Sequence, residues 1–178
     1  IMYLSNNAFL MRPEQDLRLD AEEGDQRVAF WVRAAAVAGG DDPMDELNRY
    51  TTNDAAFPVY TLDEMKLIRA EAAARTGDLG TARTLINEVR TQCAAAGAIA
   101  TEPMACLAAL PGAQLDTEAE VLAEILRQRR YELFLMGLRY EDLRRFGEPL
   151  KYTWIPYPST ECQRNPNTPQ GGSVWMCP

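Results

Sequence analysis

Residues 61–93 read TLDEMKLIRAEAAARTGDLGTARTLINEVRTQC, and this stretch decides the fold. Thr61 with Glu64 three residues later is a capping-box pair at a helix start. Leu62, Met65, Ile68 and Ala72 then recur at helical spacing and mark one face. Gly77 suits a left-handed C-terminal cap, and Asp78 suits the N-cap of the next helix. The second helix repeats Leu79, Ala82, Ile86, Val89 and Cys93, an amphipathic stripe. So short a linker makes the two helices an antiparallel hairpin.

Outward from the hairpin the pattern continues. Residues 94–116 are a loop rich in Ala, Gly and Pro. Thr117 with Glu120 is a second capping box, opening a third helix with Leu122, Ile125, Leu126, Arg129, Leu133 and Met136 along one side. Gly137 is expected to end it. A fourth helix, roughly residues 139–146, stops at Gly147 and Pro149. The tail, 150–178, has no helical period, and its prolines and glycines argue for a loop. A short strand is expected over 151–155. Residues 1–58 carry no sustained period; Val28–Arg33 reads as a short strand or buried extended run, among loops. The hairpin resembles a tetratricopeptide unit, with small Ala70, Ala73 and Ala82 where helices approach closely. An arbitrary helical hairpin would look similar, and no second matching period is visible. The fold class is therefore mainly α: a tetratricopeptide-like hairpin, further helices and irregular segments. The expected organisation is one domain over 1–178, or the C-terminal part of a larger one. It comprises an irregular segment 1–58, a helical region 59–147 and a C-terminal loop 148–178.

Charge and composition narrow the function classes. The net charge is −8, and an acidic surface repels phosphate backbones, so nucleic acid is not an expected partner. Histidine is absent. That removes the commonest general base and the commonest zinc ligand, and lowers the case for an enzyme. No cofactor or metal is expected. No apolar run is long enough to span a bilayer as a helix. The chain opens at Ile1 without a signal peptide or a lipobox-like cysteine, and reads as a processed or partial chain.

Cys93, Cys106, Cys162 and Cys177 form two sequence-local pairs, none with metal-binding CxxC spacing. Several connectivities are open, and so are four buried thiols. The local pairing, Cys93–Cys106 with Cys162–Cys177, would close short loops, each bridge adding about 3 kcal/mol. Disulfides imply an oxidising compartment.

Residues 127–147, RQRRYELFLMGLRYEDLRRFG, are the most specific segment. With Arg129, Glu132, Gly137, Arg139, Tyr140, Asp142, Leu143 and Arg145 in place, it resembles the signature of the SusD/RagB family. Gln128 stands where that signature usually has Glu. The resemblance extends to Asp63–Glu71, to Gly77-Asp78 with Ala82 and Asn87–Arg90, to Asp25-Gln-Arg27, and to Ile155-Pro156, Glu161 and Asn165-Pro-Asn167. These matches keep their order over about residues 25–167. The resemblance implies a lipid-anchored protein of the outer-membrane surface, with its anchor outside this chain. Such a protein acts as a lid on a TonB-dependent (SusC-like) barrel. It implies capture of an oligosaccharide, or sometimes a peptide, without catalysis. It also implies that the helical repeats are scaffold and that much of the ligand site lies upstream.

Two site readings compete for the signature. Glu132 and Asp142 could be the carboxylate pair of a histidine-free glycoside hydrolase. Alternatively, Arg129, Glu132, Arg139, Asp142 and Arg145 form ion pairs that fix one helix on the next. Arginines interleave the acids, so both are expected to stay ionised and neither to act as a general acid. The structural reading is preferred, and no catalytic residue is assigned. For a ligand, aromatics outside the helices are the candidates, because sugar rings stack on flat apolar faces. Trp31, Trp154 and Trp175 are chosen, with Tyr152 and Tyr157 weighed beside them. Asn165 and Asn167 read as turn formers. A helical-repeat scaffold that binds protein and no nutrient is the alternative function.

Overall fold

The structure is a computed structural model; it describes residues 10–11, 17–18, 20–34, 45–49, 54–98, 100–150 and 159–168. The chain divides into two compact units, residues 1–142 and 143–178. The order of elements is β1 (Leu10–Met11), α1 (Gln26–Trp31), β2 (Val32–Ala34), β3 (Asp45–Leu47), α2 (Leu62–Arg75), α3 (Leu79–Thr91), α4 (Glu118–Glu132), α5 (Arg139–Phe146) and α6 (Ser159–Arg164). The protein is mainly helical, as expected.

Local chemistry sets the helix ends. Thr61 Oγ1 accepts the Glu64 N–H at 3.1 Å and opens α2. Gly77, at φ +85°, takes the left-handed turn that a side chain would resist. Asp78 Oδ1 then accepts the Thr81 N–H at 3.0 Å and starts α3. Thr117 and Glu120 complete the reciprocal capping box of α4. α2 and α3 pack on each other, and α4 packs on both. Their shared core includes Leu67, Ala70, Ala82, Ile86, Val89 and Ile125, all sealed from solvent.

The face marked by Leu62, Met65 and Ile68 is not the core face of α2. Leu62 is 63% exposed and Ile68 45%, whereas Leu67 is 0%. Leu67, Ala70 and Ala74 have helical spacing of their own, and that small-residue stripe lets α3 approach. α4 also ends earlier than expected, at Glu132, with residues 133–137 in turns and Leu135 at φ +62°. Residues 26–31 form a helix where a strand or extended run was expected. Asp25 caps it by accepting the Arg27 N–H at 3.0 Å, and the strand begins only at Val32. Strand β3 pairs antiparallel with both β1 and β2, Glu46 lying opposite Leu10 and Arg33. In the tail, α6 replaces an expected loop. It fits between Pro158 and Pro166, too short to show a period. Asn165 Oδ1 accepts the Asn167 N–H at 3.0 Å beyond it, the turn role read for Asn165. The strand expected over 151–155 lies outside the described residues.

The bridge Cys93–Cys106 is present. It pins the chain after α3 back along the helix end, where Cys106 N–H donates to Gln92 O and Leu107 N–H to Arg90 O. Asn87 clamps the same segment further on, exchanging two hydrogen bonds with the Leu110 backbone. Ala105 O in turn accepts the Gln26 N–H at 3.1 Å. The bridged loop thus holds the start of α1 in place. Cys162 is also disulfide-bonded; Cys177, its expected partner, lies outside the described residues.

Candidate functional site

The inner face of α4 buries charge. Residues Glu124, Gln128 and Glu132 follow at four-residue spacing, so they line up on one side of the helix. Each meets a partner from another element. Arg90 of α3 donates to Glu124 at 2.9 Å and to Glu22 at 2.8 Å. Gln128 Nε2 donates to Glu124 at 2.6 Å, while its Oε1 accepts from Arg27 Nη1 at 2.7 Å. Arg27 Nη1 also donates to Glu132 Oε1 at 2.9 Å. The rest of the Arg27 guanidinium grips Asp25 through two bonds of 2.9 and 2.6 Å. The result is one hydrogen-bonded row from Glu22 to Asp25, with side chains from α1, α3 and α4.

Gln128 is the joint of this row. A Glu there, as the family signature usually has, could not donate to Glu124 without a proton. It would also add a third carboxylate between Glu124 and Glu132. The amide links an anion on one side to a cation on the other with no charge of its own.

Glu132 differs from its neighbours. It is 1% exposed, and its Oε2 has no hydrogen-bond partner. Burial pushes its carboxyl up to about 8, against the pull of Arg27 and with added repulsion from Asp63 and Asp25. This corrects the expectation that both acids of the signature stay ionised: near neutral pH Glu132 holds a proton. By contrast Arg27 is raised above its ordinary value; burial opposes its charge, but the Asp25 and Glu132 carboxylates more than offset that.

A cavity of about 350 Å³ opens against Glu132. Phe30 and Trp31 of α1 line it, as do Phe57, Tyr60, Arg49 and Glu102. Phe57 and Tyr60 stand exposed on its rim, in the irregular segment before α2. Arg49 Nη2 donates to Thr101 O at 3.2 Å, and its guanidinium lies 4.6 Å from the Phe30 ring centre.

The residues picked from sequence fall into different places. Trp31 belongs mainly to the core: it is 2% exposed, and its indole N–H donates to Tyr131 O at 2.8 Å. It packs with Leu17, Val32 and Tyr131 and touches the cavity as part of its floor. Trp154, Trp175, Tyr152 and Tyr157 lie outside the described residues. Arg129 and Asp142 pair at 2.8 Å, tying the first turn of α5 to α4. The partner of Glu132 is Arg27 rather than an arginine of the signature itself. Arg139 and Arg145 are exposed, and Arg145 stacks on Phe146 at 4.7 Å. Asp142 is buried against Arg129 and is not among the residues lining this cavity. Asp25, Arg27 and Gln128 were in view only as family matches or departures. Their pairing across about a hundred residues has no local signal, although Asp25 as a helix cap did have one.

A family model described as the SusD family matches residues 26–172. No curated protein and no solved structure matches the chain.

Proposed function

The chain belongs to the SusD family, and from that premise we propose that it captures an oligosaccharide, or a peptide, at the outer-membrane surface and delivers it to a TonB-dependent (SusC-like) barrel. Family membership carries the coarser statement, a nutrient-binding and non-catalytic role. The family match over residues 26–172 is also the observation on which the finer reading rests. Two features support it. The Cys93–Cys106 bridge fits an oxidising compartment. Phe57 and Tyr60 offer flat apolar faces in a cavity that polar Arg49, Glu102 and Glu132 also line, the make-up of small-molecule sites. Capture is reversible, by stacking and a few polar contacts, with no covalent step. A lipid anchor outside this chain holds the protein at the membrane.

Mild detergent purification of the native protein from its own outer membrane, with mass spectrometry of what co-purifies, tests this. A stoichiometric β-barrel with a TonB-box plug is the expected result. Recovery of the protein alone, or with soluble proteins, would overturn delivery to a barrel.

A second reading has an observation behind it. Phe57, Val59, Tyr60, Leu62, Met65 and Ile68 are all exposed within twelve residues of sequence. Such a run suits a helical scaffold that binds protein and no nutrient. Soluble partners without a barrel in the same purification would favour it. Nothing favours the hydrolase reading: Glu132 and Asp142 are held by different arginines, and only Glu132 lines the cavity.

A further inference from the structure

We propose that the cavity against Glu132 is a subsite for an organic cation, an ammonium or guanidinium group, seated between the Glu132 carboxylate and aromatic walls. The proposal deepens the nutrient-capture reading and rests on it for the ligand's origin.

The first ground is an unmet acceptor. Glu132 is almost fully buried, lines the cavity, and has Oε2 without a hydrogen-bond partner. Buried polar atoms are nearly always satisfied, so an unpartnered oxygen on a residue that lines a cavity marks a place for a donor. The second ground is charge. Arg27 gives Nε and Nη2 to Asp25, and Nη1 to both Gln128 and Glu132. Two carboxylates share one guanidinium, which leaves one buried negative charge uncompensated whenever Glu132 is ionised. Asp63 adds repulsion, although Lys66 pairs with it at 2.9 Å. A ligand cation supplies the missing charge where a neutral hydroxyl cannot.

The walls suit the same ligand. Aromatic faces are electron-rich and attract cations. Phe30 already carries one, the Arg49 guanidinium. Arg49 has the ligand's own sign, but Glu102 lines the same cavity and offsets it. The volume lies near the lower end for small-molecule sites, about 300–1,000 Å³, and fits a side chain or a single ring.

Entry of the cation has a proton signature. Without ligand, Glu132 escapes its uncompensated charge by holding a proton. The charged groups around it and in the cavity wall are Arg27, Asp25, Asp63, Arg49 and Glu102. A bound cation stabilises the carboxylate, so the Glu132 proton passes to the buffer as the ligand enters.

Calorimetric titration of the full chain at pH about 6.5, in two buffers of different ionisation enthalpy, tests this with matched probes. Each pair differs by one cationic group: glucosamine against glucose, and the blocked tripeptide Gly-Lys-Gly against Gly-Leu-Gly. The expected result is at least about tenfold tighter binding of one or both cationic members, equivalent to about 1.4 kcal/mol, with release of about one proton. The pair that responds identifies the source, an amino sugar or a basic peptide. Glu132→Gln should erase the preference and the proton release. Tyr60→Ala, at the exposed rim, should weaken cation binding with the melting midpoint unchanged. Equal binding of the twins, binding of neither, or proton release that survives Glu132→Gln would each overturn the subsite. If Glu132→Gln fails to fold, the matched twins and Tyr60→Ala still decide. A barrel that co-purifies with a protein lacking cation preference would remove the subsite and leave nutrient capture standing.

Discussion

Helices α2 and α4 invert each other. α4 turns charge inward: Glu124, Gln128, Arg129 and Glu132 are all buried. α2 turns oil outward, exposing Leu62, Met65 and Ile68 while it buries Asp63 and Glu71. Residue type therefore does not decide burial here; partners do. Each inward charge of α4 meets a guanidinium from another element, Arg90 for Glu124, Arg27 for Glu132, and Asp142 receives Arg129. Unpaired, such groups would be too costly to bury. α2 instead presents small alanines to its neighbours, because close helix approach needs little volume there.

The largest loss is expected at α4. Arg27→Met strands Asp25 and Glu132 together and should cost about 4 kcal/mol in urea unfolding. A loss under about 1 kcal/mol would show that the row of charges contributes little. On α2 the decisive residue is Leu67, fully buried between helices. Leu67→Ala should cost about 3 kcal/mol by the same assay. Removing the Cys93–Cys106 bridge with a double serine variant should also cost about 3 kcal/mol, since the loop it closes is short.

The buried acid of α4 also makes stability depend on pH. The folded state holds the Glu132 proton up to about pH 8, whereas an unfolded glutamate releases it near 4.5. The folded chain therefore binds more protons between these values, and stability falls as pH rises through the window. The slope from this group is about 1.4 kcal/mol per pH unit. Glu132→Gln should flatten that limb in denaturation series taken at several pH values; an unchanged slope would refute the raised value. The smallest effect is on the outward face of α2. Ile68→Ser should change stability by less than about 0.5 kcal/mol. A large loss there would mean that another surface covers this face in solution.

Much of the fold was legible because its signals are local. Thr61, Gly77, Asp78, Thr117 and Glu120 cap backbone groups within a few residues of themselves, so their roles hold wherever the helix packs. The middle of the α3 stripe was also correct, with Ala82, Ile86 and Val89 buried, whereas Leu79 is half-buried and Cys93 is exposed beyond the helix end. α2 failed because it is apolar on two sides, and periodicity satisfies either face. Helix α1, only six residues long, was hidden because it cannot show a period; its one local signal was the cap at Asp25. Trp31 illustrates the same limit, since an aromatic outside a predicted helix reads as available until its indole is found bonded to Tyr131.

The helical class, the hairpin ends and the family signature could be read from the sequence alone, because short-range hydrogen bonding and spacing encode them; the cysteine pairing could not. Tertiary structure alone decided which side of α2 is core, that Arg27 is the partner of Glu132, and that this carboxylate keeps one oxygen unpaired beside a cavity. Those facts depend on which groups meet across about a hundred residues and on how far water is excluded, and no local pattern carries either.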